Sequence, residues 1–162
     1  MIKRNKTEDE LKNCLWCNIT ESEKKYLLVD SRYWDVYLAE KQDYIGRCIL
    51  VLKRHCESLS QLNGEEWVEL KSLVEKLEAA ITKSLGANMF NWSCLMNDFY
   101  KSETPNPHLH IHVRPRYNAP ITINGKTYSD EEYAHHYDNH KQNKLTEAEK
   151  ETVYNLIKEA LI

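Results

Sequence analysis

The chain has seven histidines, and three of them stand at alternate positions of PNPHLHIHVRPRY, residues 105–117: His108, His110 and His112. Side chains two apart on a β-strand share a face, so an extended backbone here presents three imidazoles on one side and Leu109, Ile111 and Val113 on the other. At a rise of about 3.3 Å per residue, neighbouring imidazoles start about 6.6 Å apart and the outer two about 13 Å apart. The three cannot converge on one atom, so the spacing suits a division of labour along the strand. A neutral imidazole, with its ordinary pKa near 6.5, is a competent nucleophile at neutral pH, and attack on phosphorus gives a phospho- or nucleotidyl-histidine.

A second group of chemistry-bearing residues is Cys14-Leu15-Trp16-Cys17. Two thiolates supply half of a tetrahedral zinc site, and structural zinc needs four ligands. His55, at the end of the apolar run RCILVLKRH, and His108, the triad member farthest from Arg114 and Arg116, are the candidates for the rest. A redox pair or two buried small residues is the competing explanation of the CxxC.

Elements that hold these residues can be read from periodicity. Strand-like runs cover 26–30, 34–40, 47–53, 88–97 and the histidine segment, where prolines at 105, 107 and 115 confine the strand to about seven residues. Residues 64–85 form a helix whose stripe is Trp67, Leu70, Val74, Leu77 and Ile81, with Asn63 as N-cap and Gly86 as stop. Thr146 and Glu149 form a capping box for a C-terminal helix. Asn124-Gly125 signals a hairpin, and the His- and Tyr-rich stretch 128–140 is expected to be a solvated cap rather than a second metal site. Strands, one long helix, strands and a final helix predict an α+β domain with a largely antiparallel sheet.

Composition narrows the classes. Hydrophobic residues are 41% and charged residues 29%, and the net charge is −3, which is ordinary for a globular chain and argues against a dedicated nucleic-acid surface. A single domain over 1–162 is expected. No apolar run approaches the roughly 20 residues that span a bilayer, and MIKRNKTEDELKN at the N-terminus is polar, so no membrane is implied and a cytoplasmic location is expected. Five cysteines in a reducing compartment serve as thiols or metal ligands; Cys48, Cys56 and Cys94 read as buried thiols, and most of the four tryptophans as core.

HLHIHV, the earlier GRCILVLKRHCESLSQL with its following amphipathic helix, the CLWCNI motif and Asn97 together resemble the histidine triad superfamily of nucleotide hydrolases and transferases, over roughly residues 14–117. The remainder, 118–162, is then a C-terminal extension. The resemblance implies a five-stranded antiparallel sheet with one main helix, a homodimer, and a nucleotide substrate attacked at its α-phosphorus. It implies that His110 is the nucleophile, that His112 binds phosphate, and that Asn97 contacts the phosphate region. In zinc-bearing relatives the metal is held by a CxxC, a later histidine and the first triad histidine, which implies Cys14, Cys17, His55 and His108 around a structural zinc and no organic cofactor.

Three positions depart from the family pattern. Arg47 stands where many hydrolases of the family carry histidine; it brings positive charge but cannot accept a hydrogen bond. Pro105 replaces a side-chain donor, leaving Thr104 or Asn106 to substitute. Arg114 occupies a usually apolar position, to meet an outer phosphate or to be solvated. The retained third histidine, where uridylyltransferases carry glutamine, favours hydrolysis, since a His⁺ there adds charge where phosphate charge develops. The alternatives are a nucleotidyltransferase or phosphorylase, a zinc-dependent hydrolase with the triad as ligands, and a non-catalytic nucleotide-binding regulator.

Overall fold

A computed structural model describes residues 11–138, 140, 141 and 143–162; the polar stretch over 1–10 lies outside them. Five strands, β1 (Leu27–Asp30), β2 (Trp34–Leu38), β3 (Cys48–Leu52), β4 (Met89–Ser93) and β5 (His110–Arg116), form one antiparallel sheet in the order β1-β2-β3-β5-β4. The long helix α1 (Gly64–Leu85) joins β3 to β4, a short hairpin β6 (Ile121–Ile123) and β7 (Lys126–Tyr128) follows β5, and α2 (Glu147–Ala160) closes the chain. The expected α+β class, five-stranded sheet, main helix and C-terminal helix are all present.

Local signals act where they were expected. Asn63 accepts from the Glu66 N–H while Glu66 reaches back to the Asn63 N–H, and Gly86 ends α1 at φ 78°, a left-handed conformation that costs glycine no Cβ clash. Thr146 and Glu149 make the matching capping box of α2. Asn124 and Gly125 take φ values of 48° and 80° in the β6–β7 turn, as a two-residue hairpin of matching twist requires.

The core lies between α1 and one face of the sheet. Leu70, Leu73, Leu77, Ile81 and Leu85 of α1 pack with Trp34, Val36, Leu50, Leu52, Leu109, Ile111 and Val113; each large apolar side chain so buried stabilises by roughly 1.5–3 kcal/mol. The stripe is rotated from the expected one: Leu73 is buried, and Trp67, at the helix start, is 46% exposed. Against β1, Tyr154 and Lys158 of α2 donate to the carbonyls of Leu27 and Leu28, giving this edge of the sheet hydrogen-bond partners other than a further strand.

The triad strand also departs from expectation. It begins at His110, after His108, and runs through Pro115 to Arg116. Pro115 is tolerated because β3 pairs with β5 only as far as Cys48 opposite Val113. Beyond that point Gly46 turns the chain away at φ 81°, and a Cβ there would lie 2.8 Å from Leu85 Cδ1 and 3.5 Å from Pro115 Cγ.

Candidate active site and metal centre

On β5 the alternation sends Ile111 and Val113 into the core and leaves His110, His112 and Arg114 on the opposite face. There they lie across from Val51 and Ile49 of β3 and from Ser93 and Asn91 of β4. The three histidines fall into two groups.

His108 faces the N-terminal cysteines. Its Nε2–H donates to the Leu52 carbonyl at 2.6 Å, which directs Nδ1 to the Sγ atoms of Cys14 at 3.2 Å and Cys17 at 3.5 Å; His55 Nδ1 lies 3.3 Å from Cys17 Sγ. The four ligand atoms lie within 4.8 Å of one another. Around a tetrahedral zinc with bonds of about 2.3 Å to sulfur and about 2.0 Å to nitrogen, the S···N edges are about 3.5 Å, so the spacing and the chemistry of this donor set fit that ion. Burial and the Cys14 thiol push Cys17 up to about 12, and burial pushes His108 down to about 4. A neutral imidazole is the state that ligates metal, and a bound dication reverses the shift on the Cys17 thiol.

His110 is 8% exposed. Its Nδ1–H donates to the carbonyl of His108 at 2.9 Å, which leaves Nε2 as the unprotonated nitrogen. Burial is the first cause that lowers its pKa, so the ring is a free base at neutral pH. Trp16 at 6.3 Å, Phe99 at 5.7 Å and the His112 ring at 4.8 Å wall it in. Trp16 stands between the two cysteines, and Phe99 lies in the 3-10 turn Asn97–Lys101. The carbonyl that orients His110 therefore belongs to a residue of the cysteine-histidine cluster.

Beside His112 lies a charge network. Arg47 Nη2 donates to His112 Nδ1 at 3.3 Å, and its Nη1 pairs with Asp43 Oδ1 at 3.0 Å. Arg114 Nε takes the other oxygen of Asp43 at 3.1 Å, and its guanidinium stacks on Tyr137 at 4.3 Å. Burial, then His110, Arg47 and Arg114, push His112 down to about 3. The imidazolium expected at this end is therefore absent at neutral pH, and the positive charge belongs to Arg47.

Of the two expectations for Arg114, solvation is overturned: it is 4% exposed and paired with Asp43. Most of the described residues of 128–140 are exposed, as expected, but one buried pair ties the stretch down. Arg116, with no exposure, pairs with Asp130 at 2.7 Å and donates to the carbonyls of Glu132 and His135. A buried guanidinium needs such partners, and they fasten this stretch beside the sheet, although His135, His136 and His140 are exposed. Asn97 and Thr104 are exposed, and Asn106 is half-buried two residues before His108. Trp34 is core as expected, while Trp67 is not. Cys48 and Cys56 are buried, and Cys94 half-buried.

Sequence reasoning missed Asp43, Phe99 and Tyr137. Only Asp43 had a local signal, a carboxylate four residues before Arg47.

A β5 that carries alternating histidines inside this sheet order gives the chain the fold of the histidine triad proteins. Solved structures that share it include a hypothetical histidine triad nucleotide-binding protein from Sulfolobus tokodaii (TM-score 0.68, 16% identity, 91% of each chain). A Zn-bound histidine triad family protein from Mycobacterium smegmatis matches at TM-score 0.61 and 16% identity, over 93% of this chain and 94% of that one. A uridylyltransferase matches at TM-score 0.66 and 22% identity, over 95% of this chain but 47% of its own. No sequence-family model and no curated protein sequence matches the chain. Among the described residues no helix is long and apolar enough to cross a membrane.

Proposed function

We propose that this chain is a nucleotide-processing enzyme of the histidine triad superfamily that works through a covalent nucleotidyl-His110, and that water is the acceptor which releases nucleoside monophosphate. The observation that carries this is the Nδ1–H donation of His110 to the His108 carbonyl, which leaves Nε2 free to attack. In the first step the Nε2 lone pair forms a bond to the α-phosphorus, and the bond from phosphorus to the leaving group breaks. In the second, a water oxygen bonds to the same phosphorus, the P–N bond breaks, and the electron pair returns to Nε2. The water's proton leaves to solvent. His112 offers its Nε2–H to the phosphoryl oxygens, and Arg47 brings its charge to the other nitrogen of the same ring.

A zinc ion held by Cys14, Cys17, His55 and His108 would be structural. Bound there, it would fix the N-terminal segment and the start of β5 against each other, and the phosphoryl chemistry is assigned to His110 and His112 alone. A metal-dependent hydrolysis with the whole triad as ligands fits less well, since the group of possible ligands found among the described residues takes only His108 from the triad.

Transfer to an acceptor other than water shares the first step and is the second reading. The neutral state of His112 is compatible with it, because a neutral N–H donor is what a glutamine would also provide. A panel of dinucleoside polyphosphates, nucleoside phosphoramidates and adenylated conjugates tests the proposal. Steady release of nucleoside monophosphate, lost in His110→Ala, is the expected result, and turnover that survives His110→Ala rejects it.

A further inference from the structure

Arg47 brings only a general positive charge to the chemistry read from the sequence, and Asp43 nothing, yet the two form an enclosed contact on the histidine face. The Asp43 side chain is 1% exposed and the Arg47 side chain 11%. An arginine side chain only donates hydrogen bonds, so the nitrogen that it meets on His112, Nδ1, must hold a lone pair. The proton of the ring then sits on Nε2, the nitrogen turned away from Arg47.

We propose that Arg47, anchored by Asp43, is the positioning residue of His112. It holds the third histidine as a neutral Nε2–H donor, so that His112 gives a hydrogen bond to the phosphoryl group and keeps its proton throughout turnover. This rests on the covalent role assigned to His110 and adds the function of its neighbour.

Three observations converge. The first is the contact itself, Arg47 Nη2 to Nδ1 at 3.3 Å. The second is that Arg47 is not free to swing away: Asp43 holds its Nη1 at 3.0 Å, and Asp43 is in turn fixed by Arg114 at 3.1 Å, which Tyr137 covers.

The third is the local charge. The groups that act on His112 are His110 and Arg114 from its own strand, Arg47 from the turn before β3, where Asp43 pairs with it, and Asp98 from the 97–101 turn. Ser93 faces it across β4, and Tyr137 covers Arg114 from the 128–140 stretch. Two guanidiniums already share one buried carboxylate. Among the described residues a third cation on His112 would have only the exposed Asp98 as a further counter-charge, and Asp98 is itself paired with Lys101. A side chain that must not take up a proton cannot act as general acid or base, but it can donate from Nε2, and an amide N–H can do the same.

The test uses the zinc-loaded full chain and diadenosine triphosphate as the probe. Ring 15N signals of His112 without nucleotide, assigned by comparison with His112→Gln, are expected to show one protonated and one bare nitrogen at pH 5.5. There an ordinary histidine of pKa about 6.5 is about nine-tenths charged. In single-turnover release of nucleoside monophosphate, His112→Gln is expected to lose less than about tenfold and His112→Ala about a hundredfold or more, the range for one donor at a developing charge.

Arg47→Met is expected to slow the step about as much as His112→Ala, and Arg47→Met combined with His112→Ala to add less than about threefold, because Arg47 acts through the ring. A doubly protonated ring at pH 5.5 overturns the proposal. So does a His112→Gln as slow as His112→Ala, or effects of Arg47 and His112 that multiply. The ring state is read without substrate, so it stands or falls separately from the covalent chemistry; absence of any turnover in the unmodified protein would count against the latter alone.

Discussion

Replacing Asp43 by asparagine changes the shape of the side chain little and removes its charge. In the structure that carboxylate is 1% exposed and serves two guanidiniums, Arg47 at 3.0 Å and Arg114 at 3.1 Å. Taking one partner from a buried ion pair typically costs 3–5 kcal/mol, because the remaining charge stays desolvated without compensation. Here two cations are left, but Arg47 keeps some exposure and asparagine retains one acceptor oxygen. Asp43→Asn is therefore expected to lose about 3 kcal/mol, which for a domain of this size lowers Tm by roughly 6–12 °C. Urea unfolding of the zinc-loaded protein measures it, as a lower midpoint with an unchanged slope. Adding Arg114→Leu to Asp43→Asn removes one of the stranded charges, so the double variant is expected to lose at least about 1 kcal/mol less than the sum of the single losses. A single-variant loss under about 1 kcal/mol, or strict additivity, would refute the view of Asp43 as the shared anchor of the site.

Three further outcomes follow from the same structure. His112 has a folded pKa of about 3 against an ordinary value near 6.5, so between these values the unfolded chain binds the extra proton. Its contribution is then full above about 6.5 and is lost as pH falls. Denaturant midpoints from pH 7 to 5.5 should show a loss of about 1 kcal/mol from this group, with His110 acting in the same direction; constant stability across that window would contradict it. Cys14→Ser is expected to cut the zinc content found by elemental analysis and to lower Tm, and a full complement of zinc in that variant would remove Cys14 from the ligand set. Gly46→Ala forces an L side chain to φ 81° with its Cβ 2.8 Å from Leu85 Cδ1. It should cost at least about 1–2 kcal/mol in thermal unfolding, and a neutral outcome would mean that the packing of Leu85 on the turn before β3 yields easily.

How far the sequence revealed this molecule depended on the range of each signal. Caps and turns are local chemistry, and Asn63, Gly86, Thr146 and Asn124-Gly125 all stand where their residue types indicate. The period-two pattern placed His110 and His112 on one face, and four residues scattered from Cys14 to His108 meet as one cluster, because their identities already limit what such atoms can hold. The Asp43–Arg114 and Arg114–Tyr137 contacts had no such signature. They join residues far apart along the chain through charge and stacking, and nothing in the periodicity of either segment announces its partner. Solvation of Arg114 was wrongly allowed for the same reason: a charged residue looks solvated until its counter-charge is seen. Pro115 marks the limit of a propensity rule, since a proline is harmless in a strand on the side where the neighbouring strand, here β3, has already ended.

The claim on which the account depends is the covalent one, and the most direct measurement is tandem mass spectrometry of protein quenched in alkali during turnover of diadenosine triphosphate, where a phosphoramidate survives. The account predicts an adenylyl group on the peptide that carries residues 108–114, localised to His110, released by acid and missing from His110→Ala. Nucleoside monophosphate formed at the normal rate with no such adduct at any time, or an adduct that persists in His110→Ala, would contradict it.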